Sequence, residues 1–228
     1  VTDADRAAAF PDVGAHALGD NAIRAFVLLD QFEWHSVDRA VGWDARAWVG
    51  RDRDRLWFRS EGERGRGSVR SVAVHALYGR AFARWWDVVA GVRQDFDPGQ
   101  EQTWAAVGLQ GLAPYWFELE LTGYVGADGR TQFQFDLEHD LLLSNWLILQ
   151  PHVEFELFGR DDPRRGIGAG LSSSNLGVRL RYEVRRELAP YVGVVWHRQY
   201  FGTAAMTRDH GGSGTSGAEV VVGLRTWF

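Results

Sequence analysis

The chain has 228 residues and 25.6 kDa, with 45% hydrophobic and 24% charged residues and a mean hydropathy of −0.26. No stretch approaches the roughly 18 uninterrupted apolar residues of a membrane helix, Leu141–Leu149 being short and broken by Ser144 and Asn145, so helical membrane proteins are excluded. A net charge of −5 argues against nucleic-acid partners, and the absence of cysteine removes disulfides and thiolate metal sites. A transmembrane β-barrel stays open, because its polar lumen face averages away the hydropathy of its lipid face.

From Val1 the chain is polar and Ala-rich without a signal peptide, which in an exported protein would already have been removed. Residues 1–23 read as a short, mostly irregular periplasmic segment, and residues 24–228 as the barrel. From Arg24 onward, alternation with period 2 replaces the 3.6 period of a helix. The alternation predicts about twelve strands. In chain order they are Arg24–Ser36, Val41–Gly50, Arg55–Glu61, Ser68–Phe82, Trp85–Phe96 and Thr103–Leu112, then Tyr115–Val125, Thr131–Leu142, Trp146–Phe158, Ser173–Arg185, Pro190–Phe201 and Ala218–Phe228. Val41, Trp43, Ala45, Ala47 and Val49 form one apolar row; Phe133, Phe135 and Leu137 another; Val153, Phe155 and Leu157 a third.

Every second connection is tight, and the ones between are longer and Gly-rich, notably Gly159–Ser172 and Gly202–Gly217. Short turns at one end and long loops at the other, with both termini on the short side, is the layout of an antiparallel up-and-down outer-membrane barrel. The aromatics agree: Trp85, Trp86, Tyr115, Trp116 and Trp146 flank the short turns, and Trp34, Trp43, Phe96 and Phe201 lie near the loops, as two interfacial belts. The last strand ends on Phe228, with Val220, Val222 and Leu224 on one face. A soluble sandwich or secreted barrel also shows period 2. The asymmetry of the connections decides for the membrane.

Several segments resemble the copper resistance protein B family of outer-membrane proteins. They are AFPDV (Ala9–Val13), LLDQFEW (Leu28–Trp34), WDARAWVGRDRDRLWFRSEGE (Trp43–Glu63) and TWAAVGLQGLAPYWFELELTGYVGADGRT (Thr103–Thr131). LILQP (Leu147–Pro151), FGRDDPRRGIGAGLSS (Phe158–Ser173), RLRYEVRRELAPYVGV (Arg179–Val194) and the final GLRTWF follow in the family's order. The resemblance implies a Gram-negative outer-membrane barrel that carries or moves copper within a copper-tolerance system. The family has a Met- and His-rich segment before the barrel, whereas here only His16 precedes Arg24 and Met206 is the sole methionine; either this member lacks the segment or it has been removed. Copper capture by such a tail is therefore not carried over.

If the apolar rows face lipid, the polar rows face a lumen whose charge is uneven. Glu118 and Glu120, then Asp136, Glu138 and Asp140, then His152, Glu154 and Glu156 lie on three consecutive strands, about 4.8 Å apart, and form one acidic wall. Glu33 and His35, Asp44 and Glu61 come from the first three strands, and His197 lies on an inward row. Arg46, Arg59, Arg93, Arg179, Arg181, Arg185 and Arg225 supply counter-charge. Carboxylate oxygen and imidazole suit Cu²⁺; Cu⁺ would prefer the Met or Cys that are nearly absent. The alternative for these charges is that acid and Arg rows pair across a narrow barrel and fill it. His139 falls on a lipid-facing row, and His210 in a Gly-rich loop.

The function expected is a monomeric barrel that binds and conducts copper ions through an acidic lumen, in contact with outer-membrane lipid and with a periplasmic copper-binding protein as a candidate partner. Its rivals are a general small-solute porin and a non-conducting anchor for periplasmic copper-binding partners. No enzyme is expected: Gly211–Gly217 lacks a nucleophile elbow, and Asp161–Gly170 lacks the Gly-Lys-Ser/Thr ending of a phosphate loop.

Overall fold

The computed structural model describes residues 2, 3, 5, 22–65, 68–97, 100–209 and 214–228. Twelve long strands and one two-residue stub form a single antiparallel sheet. In order they are β1 (Arg24–His35), β2 (Ala40–Gly50), β3 (Asp54–Gly65), β4 (Ser68–Ala83), β5 (Trp86–Asp97), β6 (Gln100–Ala113), β7 (Phe117–Gly126) and β8 (Thr131–His139). The stub β9 (Leu141–Leu142) prolongs β8; β10 (Leu147–Phe158), β11 (Gly170–Tyr182), β12 (Leu188–Gln199) and β13 (Ser216–Trp227) complete the set. Each long strand pairs with its sequence neighbour, and β1 pairs with β13, so the sheet closes. Phe228 N–H donates to Val27 O at 2.9 Å and Val27 N–H to Phe228 O at 3.1 Å, which seals the last residue into the ring. Closure leaves no sheet edge and lets a β-structure satisfy its backbone in hydrocarbon.

The long strands run from nine to sixteen residues, as a tilted membrane crossing requires. Among the described residues no helix is long and apolar enough to cross a membrane. Connections at one end are short: residues 51–53, 84–85, 114–116, 143–146 and 183–187. At the other end residues 159–169 and 200–215 are long. The 114–116 turn is sharp enough to hold Tyr115 and Trp116 at φ 67° and 66°, left-handed conformations that a non-glycine residue adopts at a cost. Outward side chains such as Val107, Phe133, Val178, Val192 and Val222 remain exposed on the closed barrel as an apolar band, the pattern of a membrane barrel's outer face. Trp85 meets Trp116 edge-on at 5.8 Å beside the short turns.

The long loops interlock. Residues 201–209, expected to end a strand and enter a long Gly-rich connection, form a nine-residue helix, α1 (Phe201–Asp209). It packs on the preceding long loop: Gly168 N–H donates to Thr203 Oγ1 at 2.9 Å, and a Cβ on Gly168 would meet Gly202 and Thr203 backbone at 2.5–2.6 Å. Arg165, from the same loop, turns into the barrel and donates to Gln102 at 3.1 Å and Asp95 at 3.3 Å.

Candidate functional site

The inward rows of the strands build a lumen filled unevenly. Phe26, Trp48 and Trp57 pack as tilted rings at 6.2–6.3 Å centroid spacings near the short turns. Leu77, Val89, Trp104, Ala106 and Tyr124 form a buried apolar cluster beside them. Above them opens a cavity of about 600 Å³ that extends to the long-loop end, where Val37, Asp38 and Gly214 belong to its lining.

Strand pairing places the acidic wall as the alternation predicts. Glu120 lies opposite Asp136 and Asp136 opposite Glu154; one step nearer the short turns, Glu118 lies opposite Glu138 and Glu138 opposite His152. Glu120, Asp136, His152, Glu154 and Glu156 line the cavity. Glu118 and Glu138 lie outside its lining. The partners divide these acids into two kinds. Glu154 accepts from Gln134 Nε2 (3.0 Å) and Asn175 Nδ2 (2.9 Å), and Glu156 from Gln132 Nε2 (3.2 Å) and Ser173 Oγ (2.7 Å). Glu138 accepts from Gln150 Nε2, and His152 Nε2 lies 2.7 Å from Asp136. Neutral amides and a hydroxyl orient Glu138, Glu154 and Glu156, whereas Asp136 is paired with an imidazole.

Other acids are tied to guanidinium. Arg179 donates to Glu33 through Nε (3.1 Å) and Nη2 (2.8 Å), and Tyr191 Oη adds a third bond at 3.1 Å. The Tyr191 ring lies against Gly223, where a Cβ would fall 2.4 Å from it, so the glycine is what lets the phenol reach Glu33. Arg181 holds Asp140 at 2.5 Å, Arg225 holds Asp30 at 2.6 Å and Arg93 holds Asp95 at 2.6 Å. Arg46 and Arg59 reach from β2 and β3 to one carboxylate on β7, Glu120, at 2.9 and 2.5 Å. Those pairs floor the cavity. Asp44 stands 3.7 Å from Arg46 Nε. Arg185 is a correction: β11 stops at Tyr182, and Arg185 sits exposed in the short turn, outside the lumen.

Four histidines line the cavity. His35 Nδ1 lies 2.9 Å from Glu219, and His197 Nδ1 lies 2.8 Å from Asn175 Oδ1. His75, which the sequence reading left unplaced, is 3% exposed, and neither ring nitrogen has a hydrogen-bond partner among the described residues. Its inward position was legible from its alternation with Ala73 and Leu77. Asp30 was missed because a bulge between Leu29 and Gln31 breaks strict alternation. His139 points outward and stacks on Phe117 at 4.4 Å. His16 and His210 lie outside the described residues. Among the described residues, no three His, Asp or Glu side chains converge into a metal-holding group.

A family model described as copper resistance protein B precursor (CopB) matches residues 23–228. The copper resistance protein B of Escherichia coli is 48% identical over 230 aligned residues, covering 100% of this chain and 77% of its own. The chain belongs to the copper resistance protein B family. A homolog from Pseudomonas syringae pv. tomato is also 48% identical, with 100% and 78% covered. Among solved structures the NanC porin superposes with a TM-score of 0.58 at 13% identity, covering 89% of this copper resistance protein B family member and 99% of the porin. The KdgM porin gives 0.51 at 12% identity, with 90% and 99% covered. These likenesses establish a porin-like closed barrel.

Proposed function

We propose that this family member sits in the Gram-negative outer membrane as a monomer and passes copper through its lumen as Cu²⁺. The observation that carries the reading is the charge of the cavity. Among the described residues its lining holds ten carboxylates and four imidazoles against three guanidiniums. A like-charged lining with low-dielectric walls raises the local concentration of cations and rejects anions. Among the described residues no Arg pairs with Glu154 or Glu156, so they are the groups offered to the ion. Oxygen and imidazole donors favour Cu²⁺ over Cu⁺. Among the described residues no ligand set converges, which suits a path, since an ion that must leave cannot be held by a closed coordination shell. Periplasmic copper-binding proteins would meet the ion at the short-turn end.

The test is flux from liposomes holding the purified barrel, with Cu²⁺, Na⁺ and a neutral sugar compared side by side. Copper should move fastest, and Glu154→Gln with Glu156→Gln should cut its flux several-fold while gel mobility of the unheated barrel stays unchanged. Equal flux of sugar and copper would mark a general porin; no flux of any solute would mark an anchor.

A further inference from the structure

The loop after β10 does not stay above its own strands. Its tip reaches past β8 and β7 to β6 and β5, three and four strand positions along the sheet. The loop is bonded to itself as one piece. Asp162 N–H donates to Ile167 O at 2.7 Å, Ile167 N–H to Asp162 O at 3.0 Å, and Ala169 N–H to Asp161 Oδ1 at 2.7 Å. Its base rests on α1, which Thr203 fixes to β11 through Ser172 Oγ at 2.8 Å. Beneath it lies a second cavity of about 590 Å³, walled by Gln132, Ser173 and Gln199 and roofed by Arg164, Ile167 and Met206. Glu156 and His197 line both cavities, whereas none of the described residues of the loop or of α1 lines the first.

Two charged contacts hold the tip down. Arg130 donates to Asp162 at 2.7 Å, and Arg165 donates to Asp95 at 3.3 Å and to Gln102 at 3.1 Å. Asp95 is the informative partner. It is 1% exposed and also accepts from Arg93 Nε at 2.6 Å and Trp104 Nε1 at 2.9 Å, so it keeps a guanidinium and an indole when Arg165 leaves. Breaking a buried pair is costly where it leaves a charge without a partner. Here the acid stays paired and the departing guanidinium moves toward water. At the foot of the loop Gly170 has φ 87°, with no atom within 4 Å of where a Cβ would stand. Such a glycine changes conformation freely and serves as a hinge.

We propose that residues 161–167 are a lid over the β8–β12 side of the lumen, latched by Arg130 and Arg165. Release of the latch joins the second cavity to the first and roughly doubles the space that a solute entering from the long-loop end can occupy. The inference goes beyond copper passage, since it gives the lumen a narrow and a wide form and names the contacts that choose between them.

The chain has no cysteine, so one introduced thiol reports access without background. Ser173→Cys lies under the lid, and Ser71→Cys lies on the lining of the first cavity. Each is reacted, in the folded barrel, with a small cationic methanethiosulfonate. Arg130→Ala and Asp162→Asn release the latch at residues that do not line the second cavity. Either should speed the labelling of Ser173→Cys by about tenfold, as expected when a minor open state becomes a major one, and leave Ser71→Cys unchanged. Arg130→Lys keeps the ion pair and should keep the slow rate. If Arg130→Ala does not fold, Asp162→Asn is held to the same criterion. The proposal is overturned if the rate at Ser173→Cys does not respond to latch release, or if Ser71→Cys speeds up equally, which would mark a general loosening of the barrel. Labelling reads access and not flux, so its failure leaves copper passage standing, and absent copper flux with latch-dependent labelling would refute passage alone.

Discussion

At single residues, the lumen separates acids that hold the barrel together from acids that give it a field. Glu33 and Arg179 are each almost wholly buried and bonded to one another twice. Arg179→Leu would leave Glu33 as a buried charge short of its main partner, at a cost of about 3–5 kcal/mol. Urea unfolding in lipid vesicles should show that loss, whereas Glu154→Gln should stay within about 1 kcal/mol, since only amides lose a partner. Glu120→Gln should act differently again: by releasing Arg46 and Arg59 it opens the cavity floor and raises single-channel conductance in planar bilayers. Conductance equal to the parent's would show that these pairs do not obstruct the path. The sequence told which residues face inward, because a period of two assigns a face to every position of a regular strand. It did not tell which guanidinium reaches which carboxylate. Arg46 and Glu120 are 74 positions apart and meet only through the diameter and tilt of the closed sheet. Nor did it reveal Asp30, whose parity the bulge in β1 inverts.

At the level of strands, β8 and β10 offer a direct test of facing. Phe135 and Phe155 are cross-strand partners with ring centroids 5.9 Å apart, on the outward face. Phe135→Arg places a guanidinium in hydrocarbon and should cost on the order of 2–4 kcal/mol in lipid if the site lies near midplane. Gln134→Arg, one position away and inward beside Glu154, should cost far less. Equal losses in the two variants would mean that the faces are inverted. The strands were legible to within four residues at their ends because alternation and turn chemistry agree along nearly the whole chain. Helix α1 was not: FGTAAMTRD carries no strong apolar stripe, and its place is set by contacts of Thr203 with Gly168 and Ser172 in distant sequence. Arg185 was misplaced for a related reason, since alternation continues past Tyr182 although the ladder stops there.

For the whole molecule, closure makes the barrel one cooperative unit. Removing Phe228 deletes both of its bonds to Val27 and should weaken the β1–β13 seam, seen as a smaller fraction of fast-migrating folded protein on unheated gels. An unchanged fraction would show that the terminal residue is dispensable for closure. The aromatic filling of the lumen has an optical consequence. Trp34, Trp85, Trp116 and Trp146 are exposed at the two ends of the barrel, whereas Trp48, Trp57 and Trp104 are turned inward, Trp104 bonded to Asp95 at 2.9 Å. Brominated acyl chains would therefore darken the first group and spare the second. The surviving emission then reports from inside the barrel, and quenching of it by copper added to vesicles would time the ion's arrival in the lumen without any label.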